Sequence, residues 1–396
     1  MRLSKFSARI RGPIAAAAIA LGALLPSALV SAPAATAAEP AGTVISVEAQ
    51  PDGWHGMTGG AVVDYWTTTS SGTPVRASGA VFLPAGQPPA GGWPVAAYDH
   101  GTTGLGMGCS GITNPVGAPY PGSRGKEDRI LEYFQSKGFA VVAPDYLGLG
   151  RFDTGPHPYL ERQTEATATI DLLRAARATY PQLSRTWIAV GASQGGQAAL
   201  GTGHLQQTYA SDLDFRGTIA LDPESDLEHV LPVAGPWVPS IPEIGDGSTA
   251  FIAGVLVGLR ETRPDIDVDS YLSPRGRELL DSIGALCLDK MIDQVAGSSL
   301  GALLAKPLGD PRFTAALTDY LAVPTSGYDA PILLLLNATD KTVPSPLHAA
   351  LAAQLAANGV DARSVVGFGQ HCELNPQMWA AMDEFVARVR STPTEP

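Results

Sequence analysis

A serine flanked by glycines, placed between a strand-like and a helical segment, constrains the fold of this chain most. The run Gly191-Ala192-Ser193-Gln194-Gly195 directly follows apolar residues 186–190 and opens the helical segment 194–205. Such a turn needs glycines because neighbouring backbone passes close by, and it leaves the serine at the tip of a strand. The helix N-terminus also favours negative charge. The pattern indicates Ser193 as a nucleophile; the alternative is a turn serine that caps the helix.

The same pattern occurs again at Gly297-Ser298-Ser299-Leu300-Gly301. The residues before it, 291–296, are not strand-like, so the context that gives the first run its meaning is missing. We interpret the second run as a flexible junction between helices.

Strand-like and helical segments alternate along much of the chain. Residues 43–47, 61–69 and 74–83 are predicted to open a sheet in antiparallel fashion. After a Gly/Pro-rich turn, short apolar strands alternate with helices, which is typical of an α/β protein with a mostly parallel sheet covered on both faces. The strand-like segments are 94–98, 139–143, 186–190 and 215–221, and the helical ones are 127–137, 161–180 and 194–205.

This alternation stops after Asp222 and resumes near residue 331. The intervening stretch mixes Pro-rich residues 232–242 with helical segments 250–260 and 277–291. An interruption of this length between two strands predicts a cap inserted over the carboxyl edge of the sheet. The last predicted elements are strand 331–336, helix 347–358, strand 364–366 and helix 376–389. The predicted domains are a core in two parts, 39–222 and 331–396, and an inserted cap, 223–330.

The first 38 residues have the composition of a secretory signal peptide. A basic start is followed by an apolar run at 13–30 and small residues at 31–38. The alternative is a membrane anchor, but Pro26 and the small residues favour cleavage, with the mature chain beginning near Glu39. We therefore expect a secreted, extracellular protein without a stable membrane span.

Charge and cysteine content exclude several classes of function. The formal charge is −12, and loss of Arg2, Lys5, Arg9 and Arg11 would change it to −16, which disfavours nucleic acid as a partner. The three cysteines predict one disulfide and one thiol in an oxidising compartment. Neither Cys-x-x-Cys nor His-Glu-x-x-His occurs, so no metal site is indicated.

An acid and a base follow Ser193 in the order that a serine hydrolase of this type needs. A serine hydroxyl requires an imidazole to take its proton and a carboxylate to hold that imidazole. Asp340 comes shortly after the buried strand 331–336, and His371 lies in a glycine-containing loop after the last strand. Asp340 could instead cap the helix near Ser345, and Asp222 is the reserve acid.

Ester cleavage also requires backbone N–H donors for the oxyanion. One donor is predicted to be the amide of Gln194, directly after the nucleophile. The other is expected in the loop Tyr98-Asp99-His100-Gly101-Thr102-Thr103-Gly104, where we choose the amide of Thr102, with an uncertainty of one residue. The alternative is an ordinary Gly-rich turn.

Four motifs together resemble the secretory lipase family of fungi and actinobacteria, which includes lipase-A-type enzymes. They are His100-Gly101-Thr102-Thr103-Gly104, Asp145-Tyr146-Leu147-Gly148-Leu149-Gly150, His157-Pro158-Tyr159-Leu160 and Gly191-Ala192-Ser193-Gln194-Gly195-Gly196. The resemblance implies an α/β-hydrolase fold with a helical cap between the sixth and seventh strands, and a triad of Ser193, Asp340 and His371. It also implies a disulfide from Cys109 to Cys287, which leaves Cys372 unpaired and in a packing role.

These observations predict a secreted serine carboxylic-ester hydrolase, a lipase or esterase, that forms an acyl-enzyme. The expected substrate is a small-molecule or lipid acyl ester, bound against apolar residues 249–259 and 300–304 of the cap. We expect a monomer that needs no cofactor. The alternatives are a serine peptidase of the same fold and a non-catalytic binding protein that retains it.

Overall fold

The computed structural model describes residues 39–50, 55–114, 121–239 and 245–391. The predicted signal peptide, residues 1–38, lies outside the described residues. The chain forms a nine-stranded sheet in the order β1-β2-β3-β5-β4-β6-β7-β8-β9. The strands are β1 (Val44–Gln50), β2 (Gly60–Thr68), β3 (Pro74–Phe82), β4 (Trp93–Asp99), β5 (Ala140–Pro144), β6 (Leu183–Ala192), β7 (Asp214–Leu221), β8 (Ile332–Asn337) and β9 (Ala362–Gly367).

The sheet has the predicted mixture of directions. Strands β1, β2 and β3 pair in antiparallel fashion, and β3 pairs with β5 in the same way. The remaining pairs are parallel, namely β5 with β4, β4 with β6, β6 with β7, β7 with β8 and β8 with β9. The antiparallel opening and the mostly parallel remainder confirm the α/β prediction.

Helices cover both faces of the sheet. The helices are α1 (Pro121–Ser136), α2 (Arg162–Thr179), α3 (Gln194–Tyr209), α4 (Leu227–Val230), α5 (Gly245–Thr262), α6 (Pro274–Ile283), α7 (Leu288–Val295), α8 (Leu300–Leu303), α9 (Pro311–Leu321), α10 (Ser345–Ala357) and α11 (Pro376–Ser391). In β8, Leu333 and Leu335 pack in the cluster with α1 and α11, whereas Leu334 and Leu336 pack on the opposite side, with α10. This strand is buried on both faces, which explains its uninterrupted run of apolar residues.

The residues between β7 and β8 form helices α4 to α9 with an apolar cluster of their own, which includes Leu256, Ile283, Leu303 and Phe313. These flanking strands are the sixth and seventh once the additional edge strand β1 is left out of the count. The fold thus has the inserted helical segment at the expected place. The domain boundaries at 223 and 330 stay a prediction.

One predicted helix is wrong: residues 277–291 form two helices, α6 and α7, instead of one. The break lies where the insertion pairs with the loop after β4. Leu105 donates its N–H to the carbonyl oxygen of Leu286, and Leu288 donates its N–H to that of Thr103, both at 2.9 Å. At Gly104, whose φ is 142°, a Cβ would lie 2.6 Å from the Cα of Cys287, so a glycine is required. This long-range pairing competes with helix continuity, and local sequence does not reveal it.

A disulfide joins Cys109 to Cys287 at the same contact, with a Cα–Cα distance of 5.2 Å and a sequence separation of 178. This is the pairing that the family resemblance implies. Cys372 is free and half-buried. Among the described residues, no helix combines the length and apolar character needed to cross a membrane.

The disulfide closes a long loop, so its loss should cost stability. We expect the double variant Cys109→Ser/Cys287→Ser to lower the free energy of unfolding by about 2–5 kcal/mol, because the unfolded chain regains the entropy of an open loop. Urea denaturation measures this difference. Dithiothreitol serves as the control, since it should destabilise the parent protein and leave the double variant unchanged. Equal stability of parent and variant would contradict the prediction.

Candidate active site

Ser193 occupies a strained turn between β6 and α3. Its φ and ψ are 59° and −123°, which a non-glycine residue rarely adopts. Its N–H donates to the carbonyl oxygen of Leu221 at 2.9 Å, which fixes the turn to the neighbouring strand β7. A Cβ at Gly195 would collide with the carbonyl oxygen of Asp99, and one at Gly191 with the carbonyl oxygen of Gly195. The two glycines of the sequence motif are therefore needed for the turn to form.

The structure brings Ser193, Asp340 and His371 into one hydrogen-bonded chain. The Nε2 atom of His371 lies 2.8 Å from the Oγ of Ser193, and its Nδ1 atom lies 2.6 Å from the Oδ2 of Asp340. Because the carboxylate accepts a hydrogen bond from the N–H at Nδ1, Nε2 is left to accept one from the serine hydroxyl. The Oδ1 of Asp340 accepts the N–H groups of Thr342 and Val343 at 2.8 and 3.2 Å. Asp340 thus fixes its own turn and also orients the imidazole.

Asp222 does not hydrogen-bond to the imidazole but connects the two loops that carry Asp340 and His371. Its Oδ1 accepts the N–H of Asn337 at 2.6 Å, and its Oδ2 accepts the Asn337 side chain and the N–H of Cys372, both at 2.8 Å. Asn337 in turn accepts the N–H of Gly369 at 2.9 Å. Burial raises the pKa of Asp222. The reserve acid is therefore placed as a structural link between β7, β8 and the loop after β9.

A second histidine, His348, is buried beside this link. Its Nδ1 lies 3.8 Å from Asp222 and its Nε2 lies 3.9 Å from Asp340, and neither nitrogen has a hydrogen-bond partner among the described residues. Burial lowers the pKa of His348. One donor atom from each of the three side chains lies within 4.8 Å of the other two.

The loop after β4 places Thr102 at the site. Gly101 donates its N–H to the Oε1 of Glu127 at 2.6 Å, and Arg124 holds the other oxygen of that carboxylate at 2.5 Å. The Thr102 hydroxyl lies 2.9 Å from the hydroxyl of Tyr159. Within the described ranges, the N–H groups of Thr102 and Gln194 have no acceptor. They remain available to a ligand, while Glu127 fixes the preceding amide.

The side chain of Gln194 is held by groups buried behind the turn. Its Nε2 donates to the Oε1 of Glu165 at 2.6 Å and lies 2.7 Å from the Nε2 of His157. Burial lowers the pKa of His157 to about 3, and burial raises the pKa of Glu165 well above its usual range. The His157 side chain is fully buried, so it supports Gln194 from behind instead of lining the pocket. Glu127 and Glu165 were not identified from the sequence, because their positions carry no recognisable motif.

The hydroxyl of Ser193 opens into a cavity of about 580 Å³. Insertion residues Phe251, Leu288 and Ile292 form an apolar side of its wall. Of the two apolar stretches expected there, 249–259 contributes Phe251, whereas residues 300–304 are absent from the described lining. Leu300 and Leu303 belong to the insertion's own apolar cluster. The rest of the described lining is mostly polar: Gly101, Thr102, Thr103, Arg124, Lys126, Glu127, Ser193, Thr339, Lys341, Thr342, Gln370, His371 and Cys372.

The second Gly-x-Ser-x-Gly run has a purely structural role in the described fold. Ser299 caps α8, and its hydroxyl accepts the N–H of Ala302 at 3.1 Å. The run lies between α7 and α8, as its interpretation as a helix junction required.

The sheet order and the placement of the site define an α/β-hydrolase. The structure resembles lipase A of Candida antarctica, with a TM-score of 0.69, 18% identity and coverage of 90% of this chain and 84% of that one. It also resembles the rice cell wall degrading esterase LipA of Xanthomonas oryzae, with a TM-score of 0.65, 19% identity and coverage of 89% and 97%. A putative hydrolase of Legionella pneumophila matches with a TM-score of 0.68, 19% identity and coverage of 89% and 100%.

The secretory lipase family model matches residues 124–361, more than half of the chain. The chain therefore belongs to the secretory lipase family, which confirms the resemblance drawn from its motifs, and it is a hydrolase of the lipase and esterase class. No match was found among curated proteins.

Glu224 introduces a pH dependence at the edge of this site. Its backbone N–H donates to the carbonyl oxygen of Ser193 at 3.2 Å. Burial, together with the nearby charge of Asp340, raises the pKa of Glu224 to about 8. Above an unfolded-state pKa of about 4.3, the unfolded chain releases a proton that the folded protein keeps. The free energy of unfolding therefore falls as the pH rises from about 4.3 towards about 8 and beyond.

We expect Glu224→Gln to remove this loss of stability. Its melting temperature should exceed that of the parent by more at about pH 9 than at about pH 5, because only the parent carries a half-buried carboxyl that resists ionisation. Scanning calorimetry at both pH values measures the difference. The control is Glu278→Gln, which changes an exposed glutamate on α6. A difference that does not grow with pH would contradict the prediction.

Proposed function

We propose that the chain is a serine carboxylic-ester hydrolase in which Ser193 is the nucleophile, His371 the general base and Asp340 the orienting acid. The observation that carries this proposal is the hydrogen-bonded chain from the Ser193 hydroxyl through His371 to Asp340, with distances of 2.8 and 2.6 Å. This arrangement lets Nε2 take the hydroxyl proton while the carboxylate stabilises the imidazolium that forms. The proposal makes the enzyme a member of the EC 3.1.1 class.

In the first half-reaction, the Oγ of Ser193 attacks the ester carbonyl carbon and its proton passes to Nε2 of His371. The amides of Thr102 and Gln194 stabilise the tetrahedral oxyanion, and the protonated imidazole returns the proton to the leaving alcohol. In the second half, His371 takes a proton from water while the water oxygen attacks the acyl carbonyl carbon. The imidazolium then returns the proton to the Oγ of Ser193, which leaves as the carboxylic acid is released. Every proton is accounted for by the substrate, the water and the chain's own residues.

The proposed substrate is a small-molecule or lipid acyl ester. The apolar side of the pocket supports this assignment, since Phe251, Leu288 and Ile292 offer an acyl chain a surface to bury. The structural relatives support it further, as one is a lipase and another a cell-wall-degrading esterase. Secretion, with cleavage near Glu39, completes the proposal and agrees with the secretory character of the family.

Replacement of the proposed nucleophile tests the reaction type. We expect Ser193→Ala to lower turnover of 4-nitrophenyl butyrate by roughly 10³-fold or more, because nothing else in the chain replaces the covalent step. Initial rates and labelling with a fluorophosphonate probe measure the loss. The second-motif variant Ser299→Ala is the matched control and should keep both activity and labelling.

The same assay separates an esterase from a peptidase. The parent protein should hydrolyse 4-nitrophenyl esters, and aminoacyl-4-nitroanilides should be turned over far more slowly. Cleavage of anilides without esters would overturn the assignment in favour of a peptidase. A protein that neither turns over esters nor reacts with the probe would instead be a binding protein with this fold.

The Asp222 link gives a prediction about positioning. We expect Asp222→Asn to lower kcat by about tenfold to a hundredfold with a smaller effect on KM, because the NH2 group of the asparagine, in either orientation, would face the N–H of Asn337 or that of Cys372 and displace the loop that carries it. Kinetics measured well below the melting temperature report this loss. The control is Asp171→Asn, which changes a buried acid on α2 bonded to Thr67 and Tyr209. A purely structural role for Asp222 would lower the melting temperature in both variants and kcat in neither.

A further inference from the structure

Two lysines line the pocket, and neither is neutralised. Lys126 lies on α1, and its Nζ donates a hydrogen bond to the carbonyl oxygen of His371 at 3.1 Å. Lys341 directly follows Asp340 and is exposed at the pocket wall. In the part of the chain that the structure describes, neither ammonium forms an ion pair with a carboxylate.

The other three lysines after residue 38 have partners away from the pocket. Lys137 pairs with Asp383 at 2.6 Å, and Lys290 pairs with Asp293 at 3.0 Å. Lys306 lies over the ring of Tyr271 at 3.9 Å. In a chain whose formal charge is −12, two unpaired lysines at one cavity are a marked local excess of positive charge.

The acids near the cavity do not cancel this charge. Glu127 is the one carboxylate in the described lining, and it is bound by Arg124 and by the N–H of Gly101. The Asp340 carboxylate is engaged by His371 and by two backbone N–H groups. Burial raises the pKa of Glu224 to about 8, so that carboxyl is mostly uncharged at neutral pH.

We propose that the pocket selects esters that carry a carboxylate a few bonds from the ester group, with Lys126 and Lys341 binding that carboxylate. The inference deepens the proposed function, on which it rests, by naming a substrate class. The lysines come from α1 and the loop after β8, whereas the apolar lining residues come from the insertion, so different elements supply the charged and the apolar parts of the wall. A substrate of this class places its chain against Phe251 and Leu288 and its carboxylate against the ammonium groups.

Two matched pairs of substrates test the proposal and locate the carboxylate. In the first pair, 4-nitrophenyl hydrogen adipate is compared with 4-nitrophenyl hexanoate, which has the same number of acyl carbons and no charge. In the second, 3-butyryloxybenzoate is compared with phenyl butyrate, so that the charge lies on the alcohol side. For each pair, the ratio of kcat/KM for the anionic ester to that for the neutral ester is compared with the ratio of their rates of alkaline hydrolysis. We expect the enzymatic ratio to be the higher of the two in at least one pair.

Charge-removing variants connect this preference to the two lysines. Lys126→Met and Lys341→Met should each reduce the anionic-to-neutral ratio by roughly two- to fivefold, the range expected for one partly exposed ion pair. The reduction should appear mainly in KM and should shrink as the salt concentration rises, since added ions screen the attraction. Lys290→Met removes the same charge from a lysine that pairs with Asp293 and lies outside the described lining, and it should leave the ratio unchanged.

The outcomes separate this inference from the proposed function. Neutral esters that are hydrolysed in a Ser193-dependent way, with no anionic preference in either pair, would overturn the substrate class and leave the esterase assignment standing. An anionic preference that persists in both lysine variants, or that falls equally in Lys290→Met, would overturn the role of the lysines. If the parent protein hydrolysed none of these esters, the proposed function itself would be rejected.

Discussion

The buried carboxylate of Asp222 fixes the two loops that carry Asp340 and His371 relative to the sheet. It leaves β7 at the carboxyl edge and receives hydrogen bonds from Asn337, the last residue of β8, and from Cys372, next to His371. Parallel strands deliver their loops to one edge, but strand order alone does not fix the conformation of each loop. A carboxylate that accepts from both loops removes that freedom. The hydrogen bonds of His371 to Asp340 and Ser193 therefore depend on Asp222, although Asp222 itself forms no side-chain hydrogen bond with any of the three.

A second constraint comes from the insertion, which is attached to the oxyanion loop as well as to the sheet. The bridge between Gly104 and Cys287, the neighbouring backbone hydrogen bonds and the Cys109–Cys287 disulfide hold residues 103–105 against the segment between α6 and α7. Leu288, which follows immediately, faces the pocket. The same contact thus sets the position of the Thr102 loop and one wall of the cavity. A movement of the insertion would change both the shape of the pocket and the loop that carries a proposed oxyanion donor.

Sequence reasoning predicted those features that depend on local pattern. The strands around Ser193 and the apolar strand before Asp340 follow from periodicity and from the glycines that the turn requires. It missed the break between α6 and α7, because that break arises from pairing with residues far away in sequence. It also missed Glu127 and Glu165, whose roles become apparent only when α1 and α2 pack against the sheet. Side chains that act through tertiary contacts leave no periodic or motif signal.

The electrostatics around the turn follow from burial. Behind Ser193, burial raises the pKa values of Asp99 and Glu165 and lowers that of His157, and each of these shifts disfavours a charge next to the amide of Gln194. In front of it, Glu127 is neutralised by Arg124. An oxyanion at this position would therefore meet N–H donors, the N-terminus of α3 and the lysines of the pocket wall, with little opposing charge. The carboxylate of Asp340 lies on the far side of the imidazole, where its charge complements a developing imidazolium.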